Sequence, residues 1–384
     1  MPSLYETEVG LGQAMLGHAQ LGDARRTARL VTTFHAMCRH PGGTLPDKLP
    51  SPADLKAFYR LCDCEDVTHA ALIAAARQYT LARIAAYGKP VLVLHDATEL
   101  DYTSLESLAG ELGQIGKGHG RGYECHNVLA VAEETGEVLG LLDQILHHRD
   151  EVPEHESLAE HRNRETRESL LWLRGTEHLP PETQLIDVAD QGASTFEFLE
   201  HEFKSGRRFV IRDGRIRKVS PGHAPAAHAT AYLKDHAQGV EELGRFTMDV
   251  QAQRGRKARK EAEFVIRGGA LLVWPPHAKH GHHGNQPLPL WFVLVTEMKP
   301  PPGEDPIEWL LLTNEPVEGL EDAWRVITWY ERRWIVEEFH KAKKTGCQNR
   351  KSDHHPGWLV LWRGWTKLQA MLDGYEVAKR KKCG

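Results

Sequence analysis

A chain of 384 residues, 26% of them charged and with a formal net charge of −5, is long enough for two or three domains and lacks the overall basic charge typical of many nucleic-acid-binding proteins. Its six scattered cysteines exclude a disulfide framework, and no apolar run approaches the ~18 residues of a membrane helix, so we expect a soluble, cytoplasmic protein. The basic residues are clustered instead, and such clusters can attract DNA locally: 207–218, 254–260, 341–351 and 379–382.

The first 70 residues have the periodicity of helices, most clearly over Ala24–Cys38. Arg25, Arg26 and Arg29 fall at the start of that helix, where basic side chains can reach DNA phosphates. The alternative is that these arginines cover the surface of a small helical bundle.

Two continuous apolar runs predict strands that are buried on both faces. Pro90–His95 delivers Asp96 at its end, and Gln184–Ala189 delivers Asp190. Strands followed by helices, with carboxylates at the strand ends, indicate a ribonuclease-H-like α/β core. An aspartate at a strand end is also a common helix cap or turn residue, so this placement alone does not establish catalysis.

A hairpin of strands is predicted around the turn 133–136, and a further strand over Arg208–Arg212. Between Arg212 and Trp309 the pattern changes to short runs rich in β-branched residues. The predicted strands there are Arg245–Val250, Glu263–Ile266, Ala270–Trp274 and Leu290–Val295. We interpret this segment as a β-rich insertion in the α/β core.

One helix is predicted from Leu320 to Thr345, because no Gly or Pro interrupts it. At about 100° per residue, one stripe of that helix contains a carboxylate among cationic and phenolic groups: Tyr330, Arg333, Glu337, Lys341 and Lys344. Such a stripe suits a site where a metal ion meets a phosphate. Spacing alone favours the simpler alternative, a solvated helix face with ion pairs.

The pattern Tyr330-x2-Arg333-x3-Glu337-x6-Lys344 resembles the signature of bacterial DDE transposases of the insertion-sequence-four family, and most closely its Tn-five-like branch. The segments 308–317 and 338–346 are also similar to that branch, and 21–30 is similar to its DNA-binding segment. The resemblance runs from about residue 10 to residue 346.

Asp96, Asp190 and Glu337 are the candidate catalytic triad, and the resemblance covers all three. Cutting a phosphodiester requires an activated nucleophile and a stabilised leaving oxygen, which two divalent ions bridged by carboxylates can provide. Mg²⁺ is the expected cofactor, with Mn²⁺ able to substitute, because Mg²⁺ needs only a few protein oxygens.

The resemblance also implies DNA contacts by Arg212, Tyr330, Arg333 and Lys344. It further implies that Trp309 stacks on a base that is flipped out during hairpin formation. The other interpretation of Trp309 is a core residue, because it precedes three leucines.

The predicted domains are an N-terminal helical DNA-binding domain, a split catalytic core, a β-rich insertion and a short helical tail: 1–70, 71–212 with 306–350, 213–305, and 351–384. The tail lacks helices that the family usually has before its dimerisation segment, and we expect a homodimer on DNA. The predicted function is cut-and-paste transposition on double-stranded DNA through a hairpin intermediate. The alternatives are a shortened, non-catalytic DNA-binding relic that inhibits a full-length transposase, and a nuclease on the same fold.

Overall fold

The computed structural model describes residues 4–39, 44–108, 110–116, 118–150, 155–180, 184–252, 256–277 and 282–347. The chain forms two compact units. The first unit consists of Met1–Lys89, Asp96–Pro153 and Trp334–Gly384, and the second of Pro90–His95 and Glu154–Arg333. Within the described ranges, no helix is long and apolar enough to cross a membrane. The predicted tail 351–384 lies outside the described residues.

Helices and strands alternate along much of the chain. The helices are α1 (Leu4–Leu16), α2 (Ala24–Arg39), α3 (Leu45–Lys48), α4 (Pro52–Cys62), α5 (His69–Tyr87), α6 (Leu158–Asn163), α7 (Leu170–Thr176), α8 (Phe196–Lys204), α9 (Leu233–Gly239), α10 (Leu320–Glu331) and α11 (Trp334–Cys347). The strands are β1 (Val91–Asp101), β2 (Gly113–Gln114), β3 (Arg121–Ala132), β4 (Val138–His147), β5 (Leu185–Ala189), β6 (Arg208–Arg212), β7 (Lys218–Pro221), β8 (Ala231–Tyr232), β9 (Glu242–Val250), β10 (Arg259–Val273), β11 (Leu288–Glu297) and β12 (Glu308–Thr313).

The first unit begins with the helices α1 to α5, so the prediction of a helical N-terminal segment is confirmed for the described residues. The apolar face of α2 is buried through Leu30, Phe34 and Met37. Ser51 caps α4 by accepting a hydrogen bond from the Asp54 amide at 3.4 Å. The predicted hairpin is also present, since β3 and β4 pair antiparallel in this unit.

The second unit contains a large mixed sheet, which makes the fold mixed α/β. Its strand order is β1, β5, β6, β12, β11, β10, β7 and β8, with β9 also paired to β10. The pairs β1–β5 and β5–β6 are parallel, whereas β12, β11, β10 and β7 pair antiparallel. The two parallel pairs are buried on both faces, as the apolar runs predicted.

Two predicted strand boundaries are wrong. β1 does not end before Asp96 but continues to Asp101, because its later residues form an alternating pattern beside β3. The two short strands predicted over 263–274 are one strand, β10, with Gly268 and Gly269 inside it. These glycines do not break β10 because they pair with Val293 and Phe292 of β11, and a Cβ at Gly268 would lie 2.8 Å from Val317. The glycine therefore permits a close approach.

The prediction of one helix from Leu320 to Thr345 is also wrong. The helix breaks between Glu331 and Trp334, where the Arg333 amide bonds to the Tyr330 carbonyl at 3.0 Å, three residues back. The buried faces on the two sides of the break are Val326, Ile327, Trp329 and Tyr330, and then Ile335, Val336 and Phe339. At about 100° per residue these faces would point to nearly opposite sides of an unbroken helix, and the break allows both to be buried.

Candidate active site and nucleic-acid interface

Asp96 and Asp190 follow neighbouring residues of two paired strands. The parallel register of β1 and β5 ends with His95 opposite Ala189, and the next residue along each chain segment is an aspartate. The Asp96 side chain is 14% exposed, and its Oδ1 accepts a hydrogen bond from the Ala97 amide at 3.1 Å. The prediction that Asp190 directly follows a buried strand is confirmed.

Asp190 is held by the turn that follows it. Its Oδ1 accepts a hydrogen bond from the Gly192 amide at 2.9 Å, at the start of a single turn of 3₁₀ helix over Gln191–Ala193. A Cβ at Gly192 would lie 2.3 Å from the Trp172 ring. Residue 192 is therefore a glycine because the indole of Trp172 occupies the space that any side chain would need.

A buried ionic cluster lies beneath this end of β5. Asp187 accepts a hydrogen bond from His95 Nε2 at 2.7 Å and forms a salt bridge with Arg207, whose Nε lies 3.3 Å from Glu202. Burial alone would raise the pKa of Asp187, but Arg207 and His95 hold that pKa below its usual value. Burial and the charge of Asp187 raise the pKa of Glu202 well above its usual value. The cluster ties β1, β5 and β6 together immediately before the aspartates.

Glu337 and Lys344 lie on α11 of the first unit, whereas Tyr330 lies on α10 and Arg333 lies in the break between the helices. The predicted stripe is therefore not continuous. Glu337 falls in the first turn of α11, where the helix dipole favours a carboxylate. Lys344 follows two turns later on the same side of the helix, and both side chains are half-buried.

The candidate metal ligands Asp96, Asp190 and Glu337 are carboxylates, and carboxylate oxygens are ligands that Mg²⁺ prefers. Within the part of the chain that the structure describes, no group of three or more His, Cys, Asp and Glu side chains is arranged to hold a metal ion. Mg²⁺ does not require such a group, because it retains waters and is commonly held by one or two carboxylates together with substrate phosphates. The assignment of Asp96, Asp190 and Glu337 as metal ligands therefore stays a prediction of the sequence.

A cavity of about 1100 Å³ lies in the second unit beside the ends of β6 and β12. Cationic and aromatic side chains line it: Arg212, Arg215, Lys234, Arg256, Tyr232, Phe246 and Trp309. Carboxylates line it as well: Asp213, Asp235, Asp249, Glu308 and Glu331. Arg212 Nη2 donates to the Glu308 carbonyl at 3.2 Å, and Lys234 pairs with the Glu308 carboxylate at 2.8 Å. Partial desolvation raises the pKa of Glu331, another lining residue, above its usual value. Cations beside aromatic faces are suited to a nucleotide.

Trp309 is half-buried in the wall of the cavity. Its ring meets the ring of Tyr330 edge-on, with centroids 5.3 Å apart. The guanidinium of Arg333 lies 5.8 Å from the same Tyr330 ring. Because Tyr330 is only 4% exposed, this side chain supports Trp309 and Arg333 from within the second unit.

The three N-terminal arginines have different environments. The Arg25 side chain is 93% exposed and pairs with Asp23 at 2.8 Å. The hydrogen bond from Arg25 lowers the pKa of Asp23 to about 2. Arg26 pairs with Asp66, and Arg29 pairs with Asp54 of α4 at 2.6 Å. Arg26 and Arg29 therefore also connect α2 to its neighbours, while Arg25 extends into solvent.

Residues 12–67 match the transposase DNA-binding family. The matched segment begins inside α1 and contains α2, α3 and α4 whole, including all three arginines. This transposase DNA-binding segment supports a transposase and supports DNA as a partner, in agreement with the sequence interpretation of the first 70 residues.

The sequence did not predict the polar residues that are buried where α11 packs on β3. Asn127, His340 and Lys343 are each less than 7% exposed, and they contact one another. One signal could have revealed two of them. His340 and Lys343 continue the helical spacing of the buried Val336 and Phe339, so polar residues occupy a stripe that otherwise enters the core.

We predict that Arg25→Ala weakens DNA binding without destabilising the protein. If the exposed guanidinium contacts one phosphate, its removal should reduce the slope of log affinity against log salt by about 0.9. Fluorescence anisotropy at several salt concentrations measures the slope, and thermal melting measures stability. Lys299→Ala, which removes an exposed cation outside the transposase DNA-binding segment, is the control. An unchanged slope for Arg25→Ala would remove Arg25 from the interface.

Proposed function

We propose that this chain is a DDE transposase of the insertion-sequence-four family and its Tn-five-like branch. It cleaves transposon-end DNA, forms a hairpin intermediate and transfers the 3′-hydroxyl ends to target DNA. The observation that carries the proposal is the match of residues 12–67 to the transposase DNA-binding family. Two further observations support the catalytic part of the proposal. The first is the pattern of Tyr330, Arg333, Glu337 and Lys344. The second is that Asp96 and Asp190 come directly after the paired residues His95 and Ala189.

In this proposal, Asp96, Asp190 and Glu337 hold Mg²⁺, or Mn²⁺ in its place. When bound, the metal supplies Lewis acidity at the scissile phosphate. The chain's own contribution is to fix the carboxylates. The Gly192 amide orients Asp190 at 2.9 Å, the Ala97 amide bonds to Asp96 at 3.1 Å, and α11 carries Glu337 in its first turn.

The DNA contacts of the proposed enzyme come from three groups of residues. Arg25, Arg26 and Arg29 belong to the transposase DNA-binding segment. Arg212 and Trp309 line the cavity of the second unit, while Tyr330 packs on Trp309 and Arg333 packs on Tyr330. Lys344, on the same side of α11 as Glu337, would neutralise a phosphate near that carboxylate. We further propose that the active form is a homodimer on DNA.

The cavity leads to a prediction for Trp309. If the indole stacks on a flipped base, Trp309→Ala should slow hairpin formation on a nicked end by about 10- to 100-fold, because stacking contributes about 1–3 kcal/mol. Nicking of the first strand should be nearly unchanged, and Trp309→Phe should recover much of the hairpin rate. Gel analysis of a pre-nicked duplex measures both steps. Equal loss of both steps, together with a lower melting temperature, would show that Trp309 only supports the fold.

The function as a whole is tested on the DNA that flanks the reading frame. Sequencing that DNA should reveal inverted repeats, and duplexes that contain them should be bound, nicked and converted to hairpins by the purified protein with Mg²⁺. Joining of the cleaved ends to a plasmid would distinguish a transposase from a nuclease. Binding of the repeats without any cleavage in Mg²⁺ or Mn²⁺ would favour the non-catalytic, inhibitory relic.

A further inference from the structure

We propose that Lys343 and His340 are positioning residues that fix α11 and the Asp96 carboxylate through a buried polar cluster on β3 and β4. The cluster consists of Cys125, Asn127, Gln144, His340 and Lys343, all within the first unit. This inference rests on the proposed function, since it concerns how the chain holds two of the three proposed metal ligands.

Lys343 is the most unusual member of the cluster, because lysines are rarely buried and this one is 0% exposed. Its amine lies 3.0 Å from Cys125 Sγ and 3.1 Å from Asn127 Oδ1, and it lies 5.6 Å from the centre of the Phe339 ring. A buried amine is strongly disfavoured unless it is bonded, and these bonds can form at one position of the helix only. Sliding or rotating α11 would leave the amine without partners in an apolar core. Lys343 therefore fixes the depth and rotation of the helix that carries Glu337.

The hydrogen bonds also determine which way the Asn127 amide faces. Its Oδ1 receives Gln144 Nε2 at 2.7 Å and Lys343 Nζ at 3.1 Å, and both of these groups donate. Its Nδ2 must then donate to His340 Nε2, which lies 2.9 Å away. An imidazole that accepts at Nε2 carries its proton at Nδ1, and this nitrogen lies 3.6 Å from Asp96 Oδ2. This N–H group faces the Asp96 carboxylate at a distance longer than a hydrogen bond, so its effect on the carboxylate is electrostatic.

The consequence is that one buried cluster supports two carboxylates. His340 and Lys343 hold α11 about one and two turns beyond Glu337, and His340 faces Asp96. Residues that orient metal ligands in this way typically change metal affinity by about 10- to 100-fold when they are replaced. An apolar residue at 343 could fill the same space, but it would not specify a single position for the helix.

Lys343→Met tests the inference, because methionine keeps the length and burial of the side chain and removes its hydrogen bonds. We expect the backbone amides of α11 to exchange with solvent about ten-fold faster, which is the effect of losing one buried hydrogen bond. Amides of β5 and β6 in the second unit should be unchanged. Mn²⁺ binding to the protein–DNA complex, measured by electron paramagnetic resonance, should weaken by about ten-fold or more, while DNA affinity in EDTA is retained.

His340→Leu provides the second variant and should weaken Mn²⁺ binding with a smaller effect on α11 exchange. Lys89→Met is the matched control, because it removes an exposed lysine that pairs with Glu134 at 2.8 Å. Unchanged α11 exchange and unchanged Mn²⁺ affinity in Lys343→Met would overturn the inference, as would equally faster exchange throughout the protein. Wild-type protein that binds end DNA and Mn²⁺ but cleaves nothing would instead refute the proposed function, and the exchange data would still decide the positioning role.

Discussion

We expect Asp96→Ala, Asp190→Ala and Glu337→Ala each to lose metal-dependent cleavage of end DNA by on the order of 10³-fold or more. The metal provides several kcal/mol of transition-state stabilisation, and each ~1.4 kcal/mol corresponds to a factor of ten in rate. DNA binding should survive, because affinity comes mainly from phosphate contacts that these acidic residues do not make. Cleavage of labelled end DNA in Mg²⁺ and in Mn²⁺, with binding measured separately in EDTA, tests both halves of the prediction.

Glu338→Ala is the matched control for this series. Glu338 is adjacent to Glu337 on α11, but its carboxylate pairs with Lys341 and its side chain is 34% exposed. This variant should cleave like the wild type. Cleavage near the wild-type rate by any one of the three triad variants would show that the carboxylate concerned is wrongly assigned.

The second large effect is on stability rather than on chemistry. Asp187→Ala should lower the free energy of unfolding by about 3–5 kcal/mol, because it leaves the Arg207 guanidinium buried without its principal partner. Asp187 is fully buried and Arg207 is 5% exposed, so solvent cannot replace the lost interaction. Urea denaturation followed by circular dichroism measures the change.

Glu315→Ala is the comparison for Asp187→Ala. It removes another arginine–carboxylate pair of the second unit, to Arg208 at 2.8 Å, but there the arginine side chain is 25% exposed and can remain hydrated. Its loss should destabilise the protein much less. If the two variants were equally stable, the buried cluster beneath β5 would not hold the strands together.

The sequence predicted those parts of the fold that depend on local patterns. β6 has the predicted bounds Arg208–Arg212, and β5 ends immediately before Asp190, because continuous apolar runs report burial on both faces. The break between α10 and α11 could not be predicted in the same way. No Gly or Pro marks it, and its cause is the direction in which two apolar faces are buried, which is a property of the tertiary structure.

The candidate site was predictable to the same extent: local patterns predict its carboxylates, whereas tertiary packing determines the rest. Asp96, Asp190 and Glu337 were found through strand ends and through a resemblance of motif, which are both short-range signals. The role of Lys343 depends on contacts to Cys125 and Asn127, more than 200 residues earlier in the chain. A charged residue in a helix is ordinarily interpreted as exposed, and only the packed structure shows that this lysine is buried.

The division of the chain into two interleaved units has a genetic consequence. The first unit is built from three separate stretches and the second from two, with changes of unit at residues 89–90, 95–96, 153–154 and 333–334. A stop codon anywhere between residues 96 and 333 therefore removes part of both units at once. Copies shortened by such a stop codon could still encode the transposase DNA-binding segment within residues 12–67, but none of them could supply either unit whole. Decay of such a gene through stop codons would therefore leave the transposase DNA-binding segment without either complete unit.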